Sequence, residues 1–202
     1  MDEMYVKGEV YMMKKLKRIA GLVIVIGMLT GCTNYAKQYD QNTLVVNRNG
    51  SFVEVSVEDF KDSKVKPEDI ESYVREQVDN YNSNYGNDIK VNSIDYEDLS
   101  HVKLVVSYKN VESYDAFNLL ECSLTDISDT DESQLTGSYT SSEDKKAAPS
   151  DIIAEGKGKV LIISEATDVV VKGSILYYND EVTVKDGVAT TSGNKNAVIV
   201  FK

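Results

Sequence analysis

The chain has 202 residues, 22 of them basic and 33 acidic, for a formal net charge of −11. That balance argues against a nucleic-acid partner, which needs a basic footprint. One His and two Cys exclude the usual multi-His and Cys-pair zinc sites.

Residues 1–11 are partly acidic and stand before the first basic cluster, Lys14, Lys15, Lys17 and Arg18. Gly8-Glu9-Val10 can be encoded by a ribosome-binding sequence, and Met12 and Met13 follow at once. Translation is therefore expected to start at Met12 or Met13, with residues 1–11 as leader. An apolar run from Ile19 to Leu29 comes next and closes on Leu29-Thr30-Gly31-Cys32. A positive head, a short apolar stretch and small residues before a cut are the parts of a secretory signal peptide, here residues 1–31. The run is too short for a comfortable membrane-spanning helix, which needs about 20 apolar residues.

Leu29, Thr30, Gly31 and Cys32 resemble the lipobox of bacterial lipoproteins, whose form is Leu, a small residue, Gly or Ala, then Cys. The resemblance implies that the Cys32 thiol takes a diacylglyceryl group and that a dedicated peptidase cuts before it. It also implies that the mature chain works on the extracytoplasmic face of the cell membrane. Two acyl chains matter, because one alone gives only marginal, reversible anchoring. The chain as a whole resembles the small surface lipoproteins of Gram-positive bacteria. Outside the first thirty-two residues that likeness is one of composition and layout and transfers no active residues.

Removing residues 1–31 takes away five basic and three acidic residues and leaves a net charge of −13. Such a chain is expected to be repelled by anionic headgroups beyond its anchor. With Cys32 lipidated, Cys122 has no intramolecular partner, so it reads as a small hydrophobe.

Polar residues 32–42 read as a lipid-anchored tether. Leu44 to Val46 and Phe52 to Val57 flank Asn49-Gly50, a two-residue hairpin signal. Pro67 starts a helix, with Glu68, Asp69 and Glu71 at its positive end and Gly86 as its stop. Ile89 to Tyr96 and Val102 to Tyr108 read as strands, and Val111 to Leu120 as a short helix. Residues 43–125 are thus expected to form a hairpin-helix-hairpin-helix unit. Residues 126–150, rich in Ser, Thr, Asp and Glu, read as a linker or surface loop. Residues 151–202 carry short β-branched runs and the hairpin signal Asp186-Gly187, which predict a small all-β unit. The expected fold class is α+β, with that all-β unit following.

Chemistry is sparse. His101 falls in a turn, and Gly156-Lys157-Gly158 precedes a strand rather than a helix, so it is no phosphate loop. No nucleophile elbow appears. Asp126 to Ser133 alternates short oxygen ligands, yet the calcium-loop pattern fails at its glycine and its terminal glutamate, and a solvated acidic loop is the better reading. Tyr177 and Tyr178 fall on opposite faces of a strand. No catalytic residue, metal or cofactor is expected. The expected function is a non-catalytic envelope protein anchored to the membrane through Cys32, with another protein or a wall polymer as partner. The alternatives are a solute-binding lipoprotein of a transporter and, below it, a hydrolase acting on the wall or on surface proteins.

Overall fold

A computed structural model describes residues 34–61, 64–96 and 99–202. After a short helix α1 (Tyr35–Gln38) come strands β1 (Thr43–Val46) and β2 (Phe52–Glu58). Helix α2 (Pro67–Tyr85), β3 (Ile89–Asp95), β4 (Val102–Tyr108), helix α3 (Val111–Asn118) and β5 (Cys122–Asp126) follow. Beyond two single-turn 3-10 helices lie β6 (Tyr139–Ser141), β7 (Lys146–Ala147) and helix α4 (Pro149–Ala154). The chain ends with β8 (Lys159–Ile163), β9 (Asp168–Val171), β10 (Ile175–Asn179), β11 (Val182–Lys185), β12 (Val188–Thr191) and β13 (Ala197–Phe201).

These strands make two sheets. Seven form one in the order β11-β12-β9-β1-β2-β4-β3, and six form the other in the order β5-β8-β13-β10-β6-β7. This overturns the expected fold class. The described chain is mostly β, and no self-contained N-terminal α+β unit precedes a separate all-β unit. The physical reason lies in β1. All four of its residues are buried, so it needs partners on both edges. Its hairpin with β2 supplies one edge, and β9 supplies the other by parallel pairing, from Thr43 opposite Asp168 to Val46 opposite Val171. A parallel partner more than a hundred residues away leaves no local mark in the sequence.

The inner face of the seven-stranded sheet is covered by α2, by α3 and by the six-stranded sheet. Leu44, Phe52, Val106 and Val169 meet Ile70, Val74 and Val78 of α2, Phe117 of α3, and Leu161, Ile163 and Ile199 of the second sheet in one core. The outer face of the second sheet packs Val160, Val198 and Val200 against Ile127, Leu135 and Ile152. Residues 126–150 therefore act as a cover. Their 3-10 turns seal that face, while β6 widens the sheet by pairing with β10.

Local signals explain the joints. Pro67 sits in the first turn of α2, and Asn82 near its end accepts from the amides of Asp88 and Ile89 and donates to the Ile89 carbonyl. That ties the helix to the start of β3. Asn110 and Ser113 cap α3 reciprocally. At Asp186-Gly187 both residues take positive φ, as a two-residue turn requires. At Asn49-Gly50 only Gly50 does, and the Gly50 amide bonds back to the Asn47 carbonyl. The β1–β2 loop is thus a tight turn followed by a left-handed glycine, not the expected two-residue form.

Candidate functional site

Strand alternation puts Phe52, Glu54 and Ser56 on the inner face of β2. Across the seven-stranded sheet the row through Glu54 runs Val184, Ala189, Val169, Leu44, Glu54, Val106, Val91. One carboxyl thus stands in a row that is otherwise apolar. Its carboxyl is enclosed by protein, although the residue as a whole is half-buried. An ionised carboxylate there is costly unless hydrogen-bonded. Tyr108 donates its hydroxyl to Glu54 at 2.6 Å, Ser56 donates at 3.1 Å and Asn118 Nδ2 at 3.3 Å. Burial dominates these bonds, and with the neighbouring charge of Glu165 it raises the Glu54 carboxyl from 4.5 to about 7.

Glu165 enters from the turn between β8 and β9. Tyr114 of α3 donates to it at 2.7 Å, and the Thr191 hydroxyl holds its backbone carbonyl. The two tyrosines pack edge to face, with centroids 5.1 Å apart, and the Tyr114 ring stacks on Phe52 at 5.4 Å. Burial first, and then the Glu54 charge, push both phenols well above their ordinary range. Cys122 borders the same cluster. Burial, then Asp115 and Glu165, lift its thiol to about 12, so it stays protonated and unreactive at neutral pH. The assembly is a two-carboxyl, two-tyrosine network joining β2, β4, α3 and the β8–β9 turn. Chemically it can hold or exchange a proton near neutrality.

A second feature lies on the other face of the seven-stranded sheet. Ala36 of α1 is buried against Val45, Val53, Val55 and Val105, with Tyr35 and Tyr39 alongside. The buried Lys103 of β4 donates to the Ala36 carbonyl at 2.8 Å and pairs with Asp40 at 2.5 Å. Asn42 accepts from the Val57 amide through its side chain and from the Asp168 amide through its carbonyl. The stretch read as a tether is therefore packed on the body from residue 34 onward. Between α1 and the end of β3 runs an open groove of about 490 Å³, lined by Asn34, Lys37, Ser93 and Tyr96 among others.

Leu29, Thr30, Gly31 and Cys32, which resemble a lipobox in sequence, lie outside the described residues. His101 is an exposed turn residue. The acidic loop does not converge on a point. Asp126 pairs with Lys159 at 2.8 Å, while Asp131 caps a 3-10 turn through the Ser133 amide. Among the described residues no group of three or more His, Cys, Asp or Glu is arranged to hold a metal ion. Tyr177 and Tyr178 do point to opposite faces, one toward each core, and both are half-buried.

Sequence reading missed Glu54, Glu165, Tyr108, Tyr114 and Asn118. One signal was available for Glu54. If Phe52 leads the inward face of β2, Glu54 must follow it inside. Helical spacing put Tyr114 on the inward face of its helix, but Glu165 carried no such mark, and only tertiary packing brings the two together.

No described helix is long and apolar enough to cross a membrane. No family model matches the chain, and no curated protein or solved structure is similar to it.

Proposed function

We propose that this protein is a lipoprotein held on the extracytoplasmic face of the cell membrane by lipid on Cys32, and that its body is a non-catalytic binding module of the envelope. The observation that carries the reading is the seating of α1. The described residues from Asn34 onward, which begin two positions after the lipobox cysteine, are seated on the sheet, fastened there by Lys103 and Asn42. An acylated cysteine there would be joined to a rigid body. The saturated Glu54–Tyr108 and Glu165–Tyr114 pairs agree with a non-catalytic role, because their hydrogen bonds are spent within the core.

Fractionation of cells carrying the wild type or Cys32→Ala tests the anchor. The wild type is expected in the membrane fraction and the variant in the medium or the soluble fraction. Equal membrane retention of both would end this reading.

A hydrolase is the second reading, and one observation favours it. A carboxyl held at about 7 beside a second carboxyl suits proton transfer. Glu54→Gln separates the two readings, because it abolishes hydrolysis if Glu54 moves a proton and leaves binding of a wall polymer in place if it does not.

A further inference from the structure

We infer that the outer face of the seven-stranded sheet, the face bearing α1, is the surface this protein lays on anionic lipid headgroups. The inference rests on the Cys32 anchor proposed above and adds an orientation and a contact surface to it.

The first observation is reach. Asn34 is fixed on this face, and the two residues from Cys32 to Asn34 span at most about 7 Å. A lipid on Cys32 would therefore hold this face, and no other, close to the bilayer.

The second observation is charge. Lys37 of α1, Arg48 of the β1–β2 turn, Lys90 of β3 and Lys172 just past β9 are exposed on or beside this face. None of the four is in an ion pair among the described residues. Arg48 Nε donates to the Lys172 carbonyl at 2.7 Å, which gathers those two cations at one edge. Among the described residues the carboxylates on this side are fewer. Asp40 is paired with Lys103, Asp168 accepts from Thr190, and Asp95 stands at the end of β3. A net-acidic chain thus presents cations outside any ion pair on the described face that seats α1.

The third observation is aromatic. Tyr35 and Tyr39 stack with centroids 6.2 Å apart, and the Lys172 ammonium lies 5.7 Å from the Tyr35 ring. Tyrosine beside lysine is the pairing found at headgroup level, with the ring at the apolar boundary and the cation on phosphate. The groove between α1 and β3 adds a recess at the same margin.

The net charge of −13 that remains once residues 1–31 are removed does not oppose this contact. Asp129, Asp131, Glu132, Glu143 and Asp151 lie in the segments that cover the far face of the second sheet. Two stacked sheets are about 10 Å apart, and the covering layer lies farther still. The Debye length at physiological salt is about 8 Å. A headgroup touching α1 therefore feels Lys37, Arg48 and Lys172 and little of the acidic far side. The acidic side then points away from the membrane, where an anionic surface would repel it. Attraction at this face would run against the repulsion expected from composition alone.

The test uses the lipidated mature chain, residues 32–202, added to preformed vesicles of phosphatidylglycerol and phosphatidylcholine. An amine-reactive reagent that does not cross membranes is applied, and labelling is read peptide by peptide. Lys37, Lys90 and Lys172 are expected to label about fivefold more slowly on vesicles than in detergent micelles, the factor set by contact of one lysine with an anionic surface. Lys145, Lys146 and Lys157 on the far side are expected to label equally in both. Protein that floats with the vesicles but shows no difference between the two sets overturns the inference and leaves the anchor standing. Protein that fails to float overturns both. In the double variant Arg48→Glu, Lys172→Glu, flotation should persist while Lys37 and Lys90 regain their micelle rate. Continued protection in that variant would overturn recognition by charge.

Discussion

Lys103 and Asp40, 63 residues apart in the chain, meet at 2.5 Å over the outer face of the seven-stranded sheet. The same ammonium donates to the Ala36 carbonyl, so one buried cation helps fasten residues 34–42. Membrane attachment in the proposed account passes through this contact, because whatever holds residue 34 holds the body.

Replacing Lys103 with Met should loosen that stretch without unfolding the protein. Asp40 is exposed, so the ion pair contributes little, and the expected loss in global stability is about 1 kcal/mol. Hydrogen exchange should rise in residues 34–42 and stay unchanged in β8 and β13. Acid should act in the same direction. The Lys103 hydrogen bond and charge hold the Asp40 carboxyl below its usual range. Its contribution is present above the ordinary carboxylate pKa and is lost as pH falls through the lowered one. Unchanged exchange in the variant would show that α1 is held by its apolar contacts alone.

Glu54 gives the opposite sign. Its folded pKa of about 7 lies above the unfolded 4.5. Its contribution is therefore fully present below pH 4.5 and is lost as pH rises through 7. The wild type should lose stability between pH 5 and pH 8, by up to about 3 kcal/mol from this group. Glu54→Gln stays neutral and should flatten that decline. Urea melts of both proteins at the two pH values test this, and an equal decline in both would remove Glu54 as the cause.

Gly158 and Gly187 make a matched pair. Both take positive φ, so alanine is strained at each. A Cβ on Gly158 would also stand 2.7 Å from the Phe201 carbonyl oxygen, whereas one on Gly187 meets nothing within 4 Å. Gly187→Ala should cost about 1 kcal/mol and Gly158→Ala at least about 2, because β8 and β13 must part to admit the methyl group. Denaturant midpoints measure both, and equal losses would place the close approach elsewhere.

These contacts show which parts of the molecule the sequence announces. Alternation in Phe52 to Val57 and the turn Asp186-Gly187 act through neighbours in the chain, and periodicity exposes such effects. The joining of β1 to β9 acts across more than a hundred residues, and a run such as Leu44-Val45-Val46 reads the same whether one or two partners flank it. That is why the division into two successive units failed. The carboxyl pair was hidden for a related reason. Glu54 and Glu165 lie on different sheets' strands and turns, and only the packing of α3 between them supplies Tyr114 and Asn118.

The most direct test of the anchor is the mass of the N-terminal peptide of the mature protein extracted from membranes. The account predicts a chain that begins at Cys32 and carries a thioether-linked diacylglyceryl group with two palmitate-length chains. A peptide that runs unbroken through Gly31 and Cys32, or an unmodified Cys32 thiol, would contradict it.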